Sequence, residues 1–241
     1  MALNEADAVA LRSIQLFKSL SDPSLPTLLK SASIKYFPAR IVLFSEGDRA
    51  TTLYTLLQGS IELFSEHHDR RSTIAVIRSI KPFVLASITD NINPMSARTL
   101  ARSDLLLVPL PVIHRLMNTD PAFARAIAYE LAGDVRDIIE DFKSHRLRTS
   151  IERVAEWIIR SDEAAGGAGS FVIPHDKCTL ASYLGMKPES LSRNLAALGS
   201  AGVSVRGRQV CVSDPAALAD IARLGRRMPQ GGACSGATSR Q

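Results

Sequence analysis

The alternation of hydrophobic and polar positions changes rhythm along the chain. Val9, Leu11, Ile14, Leu16, Phe17 and Leu20 predict a short helix over 5–20. Residues 34–110 then break into short β-rich runs: "YFPARIVLF", "TLYTLLQGSIELFSE", "STIAVIRSI" and "SARTLARSDLLLVPLP". The turn signals "EGD", "HHDRR" and "KP" stand between them, which predicts an antiparallel roll or barrel. From Asp120 the pattern is helical. Asp120 suits an N-cap and Pro121 the first turn. Leu131, Val135, Ile138 and Phe142 follow at steps of 4, 3 and 4, one stripe of a helix reaching about His145. Such a helix, roughly 25 residues or nearly 40 Å long, joins two differently patterned regions and reads as a dimer seam, with an ordinary helix lying on the roll as the plainer alternative.

Beyond it the elements shorten. Ile151, Val154, Ala155, Trp157 and Ile158 predict a helix over 149–161, followed by the loop "DEAAGGAGS". Asp176 can cap a helix over Lys177–Leu184, Gly185-Met186 makes a turn, and Pro188 opens another helix. "GVSVRGRQVCVS" predicts a hairpin about Arg206-Gly207-Arg208, and a last helix covers about 215–224. The polar tail "RRMPQGGACSGATSRQ" predicts disorder. The expected class is α+β. A roll with its N-terminal helix spans 1–119, a dimerisation helix 120–146, a second globular domain 147–225 and a tail 226–241.

Composition agrees with two packed domains. Of 241 residues, 46% are hydrophobic and 22% charged, so disorder is not the default. The net charge of +5 lies mostly in one half: residues 147–241 carry 12 Lys and Arg against 8 Asp and Glu, residues 1–146 carry 17 against 16. A basic C-terminal half favours a polyanionic partner there. Three widely spaced cysteines, Cys178, Cys211 and Cys234, argue against a disulfide framework or zinc knuckle. No signal-like N-terminus or run of 18 apolar residues occurs, so the expectation is a cytoplasmic protein with no membrane partner.

The chemistry concentrates in "MKPESLSRNLAAL". Leu191, Leu195 and Leu198 give this helix one apolar face, and Glu189, Ser192 and Arg193 stack on another at i, i+3 and i+4. A helix, a Gly turn, a second helix and a basic hairpin are the order of a winged helix-turn-helix, whose second helix enters the major groove. There Arg193 can donate to guanine O6 and N7, Glu189 can accept from cytosine N4, and Ser192 can reach a base edge or phosphate. The bland alternative is a Glu189–Arg193 surface ion pair. Lys177, Lys187, Arg206 and Arg208 are the candidate phosphate contacts, with simple solvated charge as the alternative.

From about Phe17 to Leu224 the chain resembles the Crp/Fnr family of bacterial transcription regulators. The stretches "LFKSL", "LFSEGDRATTLYTLLQGSIEL", "IPHDKCTLASYLGMKPESLSRNLAAL" and "GVSVRGRQVCV" fall in that family's order and spacing. The resemblance implies an N-terminal cyclic-nucleotide-binding-like β-roll, a long dimerisation helix and a C-terminal winged helix-turn-helix. It implies double-stranded DNA, a second copy of the chain and RNA polymerase as partners, and no enzymatic activity. Glu189, Ser192 and Arg193 match the E-x-x-S-R motif of the Fnr-like branch, which implies a TTGAT-N4-ATCAA-like palindrome. Pro188 stands where the Crp branch has a further arginine, and "PESLSR" is most similar to Dnr- and NnrR-type regulators.

The same resemblance bears on cofactors. Family members that bind cyclic nucleotides carry Gly-Glu and, further on, Arg-Ser or Arg-Thr; here those places hold Val84-Leu85 and Met95-Ser96, with Arg98 two residues beyond the serine. Cyclic AMP is therefore not expected. Nor is the cysteine-held iron–sulfur cluster of Fnr, because no cysteine precedes Cys178. The haem-ligand position of the family's carbon monoxide sensor falls on Ala86. Haem through Met95, His114 or the His67-His68 pair stays open, beside an apolar pocket or a filled core. His67 and His68 should face opposite sides of a strand and read as turn residues; His114 reads as structural. Cys178, at a helix N-terminus, is the candidate redox thiol, with a buried inert thiol as the plainer expectation. Cys211, between two valines, reads as core. A cupin-like metalloenzyme would need H-x-H, which the chain lacks. A constitutive regulator with a ligand-free roll is the other alternative.

Overall fold

The computed structural model describes residues 11, 12, 14–68 and 70–222. The start of the expected 5–20 helix, the tail, Cys234 and the end of the last helix lie outside the described residues. The chain divides into two compact units. One is built from the chain up to Leu147 together with His175–Pro188, the other from Arg148–Pro174 and the chain from Glu189 on. The first helix of the expected helix-turn-helix thus groups with the roll.

In the first unit, β1 (Ser33–Phe37), β8 (Ser103–Pro109), β3 (Thr52–Gln58) and β6 (Lys81–Phe83) form one antiparallel sheet in that order. A second sheet runs β2 (Val42–Phe44), β7 (Ser96–Thr99), β4 (Ile61–His67) and β5 (Arg70–Ile77). Alternation sends every second residue inward. Leu56 and Leu105 of the first sheet and Ile61, Leu63 and Ala97 of the second share one apolar cluster. The rings of Phe44, Tyr54 and Phe83 pack together in it, with centroids 5.3–6.4 Å apart.

The other face of the first sheet, through Leu53, Leu106 and Val108, is covered by helices. These are α1 (Gln15–Lys18), α2 (Leu25–Ser31), α4 (Leu110–Thr119) and the start of α5 (Pro121–Leu147). The short α2 and α3 (Ser87–Asp90) are additions to the predicted outline. Phe17 stacks on Phe123 with centroids 6.1 Å apart.

Asp120 fastens this corner. Its carboxylate accepts from the N–H groups of Ala122 and Phe123, as a cap should, and also from the Ser21 N–H (2.9 Å) and hydroxyl (2.6 Å). Burial opposes its charge, but the Ser21, Phe123 and Ser24 hydrogen bonds outweigh that and hold the carboxyl well below the usual range.

The predicted long helix is present as α5. Its first turns are buried at Phe123, Ala126 and Ile127, and Leu131 packs partly against the same core. Further along, Val135, Ile138, Ile139 and Phe142 are exposed, Phe142 at 59%. Lys81 meets Asp134 at 2.8 Å and ties β6 to the helix.

The second unit holds α6 (Ser150–Ala164), β9 (Ser170–Val172), α8 (Pro188–Ala197), a 3₁₀ turn (Leu198–Ala201), β10 (Val203–Arg206), β11 (Gln209–Val212) and α9 (Pro215–Ala222). Thr149 and Glu152 form a reciprocal capping box that starts α6. Buried Glu156 is held by Arg148 at 3.1 Å and Arg160 at 2.8 Å. Trp157 meets Phe171 edge-on at 5.7 Å. The predicted β10–β11 hairpin gains β9 as a third strand on β11, which the sequence pattern alone did not pair.

Two expectations are corrected. Cys211 is exposed, because Val210 and Val212 take the buried face of β11 and alternation turns the thiol outward. His67 and His68 do not diverge. His68 leaves the strand with φ 44°, and the two rings meet edge-on at 4.1 Å.

Candidate nucleic-acid interface

The reading head begins at α7 (Lys177–Tyr183). Asp176 caps it by accepting from the Thr179 N–H at 2.7 Å. Burial opposes the Asp176 charge, but the Thr179 hydrogen bonds and the nearby His175 and Arg98 charges keep its carboxyl below the ordinary value. Gly185 ends the turn at φ +64°, and a Cβ there would come within 2.9 Å of the His145 ring. Only glycine meets both demands. Lys177, Cys178 and Lys187 are all exposed.

Pro188 is the first residue of α8, where its missing N–H leaves no hydrogen bond unmade. Leu191 and Leu195 are buried, and Leu198 follows them into the core. Glu189, Ser192 and Arg193 are exposed together on another side of the helix. The alternative Glu189–Arg193 ion pair is not among the salt bridges of the described residues. Arg193 instead donates to Ser190 Oγ at 3.2 Å. In the wing, Gly207 at φ +61° turns the hairpin between exposed Arg206 and Arg208. Arg208 Nε donates to the Ile173 carbonyl at 2.6 Å, so this arginine also holds the wing onto the chain before α7. Sequence reading missed that second task.

The residues at the places of the family's cyclic-nucleotide contacts are engaged in other ways. Val84 and Leu85, at the places where the resemblance gives Gly-Glu, are buried in apolar clusters. Ser96 accepts from the Glu46 N–H. Arg98 lies on the opposite face of β7 from Ala97, which points into the interior cluster. It pairs there with Glu62, an acid 36 residues away whose role no local pattern announces. The cleft beside the aromatic cluster, lined by Phe44, Arg49, Tyr54 and Asn93 among others, holds about 210 Å³, and a second cleft lined by Glu46, Phe64, Arg71 and Ser96 among others holds about 380 Å³. Ligand sites usually begin at about 300 Å³, so the second is large enough for a small ligand. Of the haem candidates, His114 Nε2 lies 2.8 Å from the Ile88 carbonyl oxygen in a structural contact, and Met95 packs against the interior cluster. Among the described residues no group of three His, Cys, Asp or Glu could hold a metal, and no helix is long and apolar enough to cross a membrane.

Comparison with known proteins agrees with this layout. Residues 34–120 match the cyclic nucleotide-binding domain family and residues 152–221 the Crp-like helix-turn-helix domain family. The anaerobic regulatory protein of Aggregatibacter actinomycetemcomitans is 22% identical over 186 residues, covering 75% of this chain and 72% of that protein. FixK2 from Bradyrhizobium japonicum superposes with a TM-score of 0.72 at 21% identity, covering 79% of this chain and 96% of its own. DNR from Pseudomonas aeruginosa gives 0.50 at 22% identity, covering 92% and 100%. A roll of the cyclic nucleotide-binding domain family, a long helix and a Crp-like helix-turn-helix make this chain a DNA-binding transcription regulator of the Crp/Fnr family.

Proposed function

We propose that the chain works as a homodimer that reads a TTGAT-N4-ATCAA-like palindrome with Glu189, Ser192 and Arg193. The observation that carries the reading is the exposure of these three side chains together on α8, while Leu191 and Leu195 anchor its other side. Arg193 recognises guanine, Glu189 accepts from cytosine and Ser192 supplements them. Lys177, Lys187 and Arg206 steady the phosphates, and Arg208 does so with the part of its guanidinium left by Ile173. The dimer reading is supported by α5, whose Val135, Ile138 and Phe142 leave an apolar stripe in water within a single subunit. Leu131 belongs to the edge of that stripe.

The roll answers a signal other than cyclic AMP. Genes of anaerobic, nitrogen-oxide or redox metabolism are the expected targets, with RNA polymerase as the partner in activation. Exposed Cys178 keeps a redox input in play. The E-x-x-S-R match supports an Fnr-like site, and likeness to a protein named for anaerobic regulation supports the class of targets.

Binding to a labelled TTGAT-N4-ATCAA duplex tests the reading. Arg193→Ala should lose about 1–3 kcal/mol of specific affinity and sediment as the wild-type dimer does. Equal affinity for that duplex and a scrambled one in the wild type would end it.

A further inference from the structure

The second sheet of the roll carries a buried polar cluster on its wrong side. Ile61 and Leu63 of β4 point into the roll interior, so Glu62 points outward, where a sheet face usually meets water. Glu62 is nevertheless 1% exposed and Thr73 of β5 is 5% exposed. Thr73 Oγ1 donates to Glu62 Oε1 at 2.6 Å, and Arg98 supplies the counter-charge. The groups are satisfied, but something must cover them.

The cover is α7, which packs along β5 within the same compact unit. β5 is an edge strand, and its register with β4 slips between Leu63 and Phe64. Edge N–H groups need a partner outside the ladder. The Thr73 N–H finds one in Ser182 Oγ at 2.8 Å. One residue on, the Tyr183 hydroxyl donates to Asp141 Oδ2 of α5 at 3.3 Å, and Gly185 abuts His145 of the same helix. The first helix of the reading head is therefore held at Thr73, Asp141 and His145.

We propose that β5 and the last turns of α5 form a seat for α7, and that the seated state restrains DNA binding. The first helix of a helix-turn-helix crosses the phosphate backbone. In the seat, the end of α7 stands beside the Asp141 carboxylate, which repels phosphate, and the helix is tied to its own roll rather than free to follow the duplex. A signal in the roll or at the dimer helix reaches the reading head by loosening or tightening this seat. The inference rests on α8 being the DNA-reading helix.

The test uses the full-length protein with Cys178, Cys211 and Cys234 changed to serine. A Thr73→Cys, Ser182→Cys pair, at sites that already touch, is oxidised to a disulfide before any DNA is added. The disulfide should form within one subunit, and failure to form it under oxidation overturns the seat whatever the DNA does. The oxidised protein should bind the TTGAT-N4-ATCAA duplex at least tenfold more weakly than after reduction; equal binding overturns the restraint. In the otherwise wild-type chain, Tyr183→Phe should bind that duplex two- to tenfold more tightly, and unchanged or weaker binding counts against it. If no form prefers the palindrome to bulk duplex DNA, the base-reading assignment has failed. The yield of the disulfide and the affinities for bulk duplex then still judge the seat.

Discussion

Polar side chains meet opposite fates in the roll and in α8. Glu62, Thr73 and Arg98 are drawn into one network, with the acid and the threonine almost wholly out of water. Glu189, Ser192 and Arg193 stand in water, and of these Arg193 has a single weak contact, to Ser190. Buried polar groups must be satisfied inside the molecule or the fold is penalised. Exposed ones can stay uncommitted until a partner arrives. The contrast marks the roll network as structural and the α8 trio as available for recognition.

Stability measurements can break this contrast. Glu62→Ala leaves Arg98 without its counter-ion and should cost about 2–4 kcal/mol, below the full penalty for a buried pair because Arg98 is partly exposed. Glu189→Ala should change stability by no more than about 0.5 kcal/mol. Urea unfolding midpoints read both. Removing both charges with Glu62→Leu and Arg98→Leu should recover part of the loss, because the cost lies mainly in an unpaired charge. Similar losses for Glu62→Ala and Glu189→Ala would erase the distinction.

Asp120 sharpens the point with pH. Its folded carboxyl sits below the ordinary range, so the unfolded chain takes up its proton first as pH falls. The stabilisation is fully present above the ordinary carboxylate pKa of about 3.9 and is lost progressively as pH drops toward the folded value. Asp120→Ala should cost about 2 kcal/mol near neutrality through the lost cap and the Ser21 bonds. The gap from wild type should narrow below about pH 4. A gap constant from pH 7 to pH 3 would remove the charge from the account.

What the sequence made legible follows from distance along the chain. Pro188, the leucine spacing and the Glu189–Arg193 stack lie within a dozen residues, so helical periodicity alone places them. Asp176 and Asp120 are caps for the same local reason, and Gly207 marks its own turn. The Glu62–Arg98 pair spans 36 residues and the Thr73–Ser182 bond 109, and both depend on strand register that hydrophobic alternation does not fix. His68 shows the opposite limit: one residue with positive φ undoes the alternation that should have separated it from His67. The Ser21 partnership of Asp120 was hidden likewise, although the cap itself was plain.

Val84 provides the smallest and most specific test of how the roll differs from its relatives. The resemblance puts glycine here, and the backbone has kept a conformation that favours glycine, with φ 57°. A β-branched residue in that region is strained by about 1–2 kcal/mol. Its side chain is buried in the interior cluster, and that burial offsets the strain. Val84→Ala gives up most of the burial but keeps a Cβ in the strained conformation. Val84→Gly gives up slightly more burial and releases the strain. Glycine in an ordinary strand or helix is worse than alanine by about 0.5–1 kcal/mol; at this position the order should level or invert, with Val84→Gly no less stable than Val84→Ala. Thermal unfolding of the two variants decides it. If Val84→Gly proves the weaker by the usual margin, the left-handed backbone carries no strain, and filling the roll with Val84 came at no conformational cost.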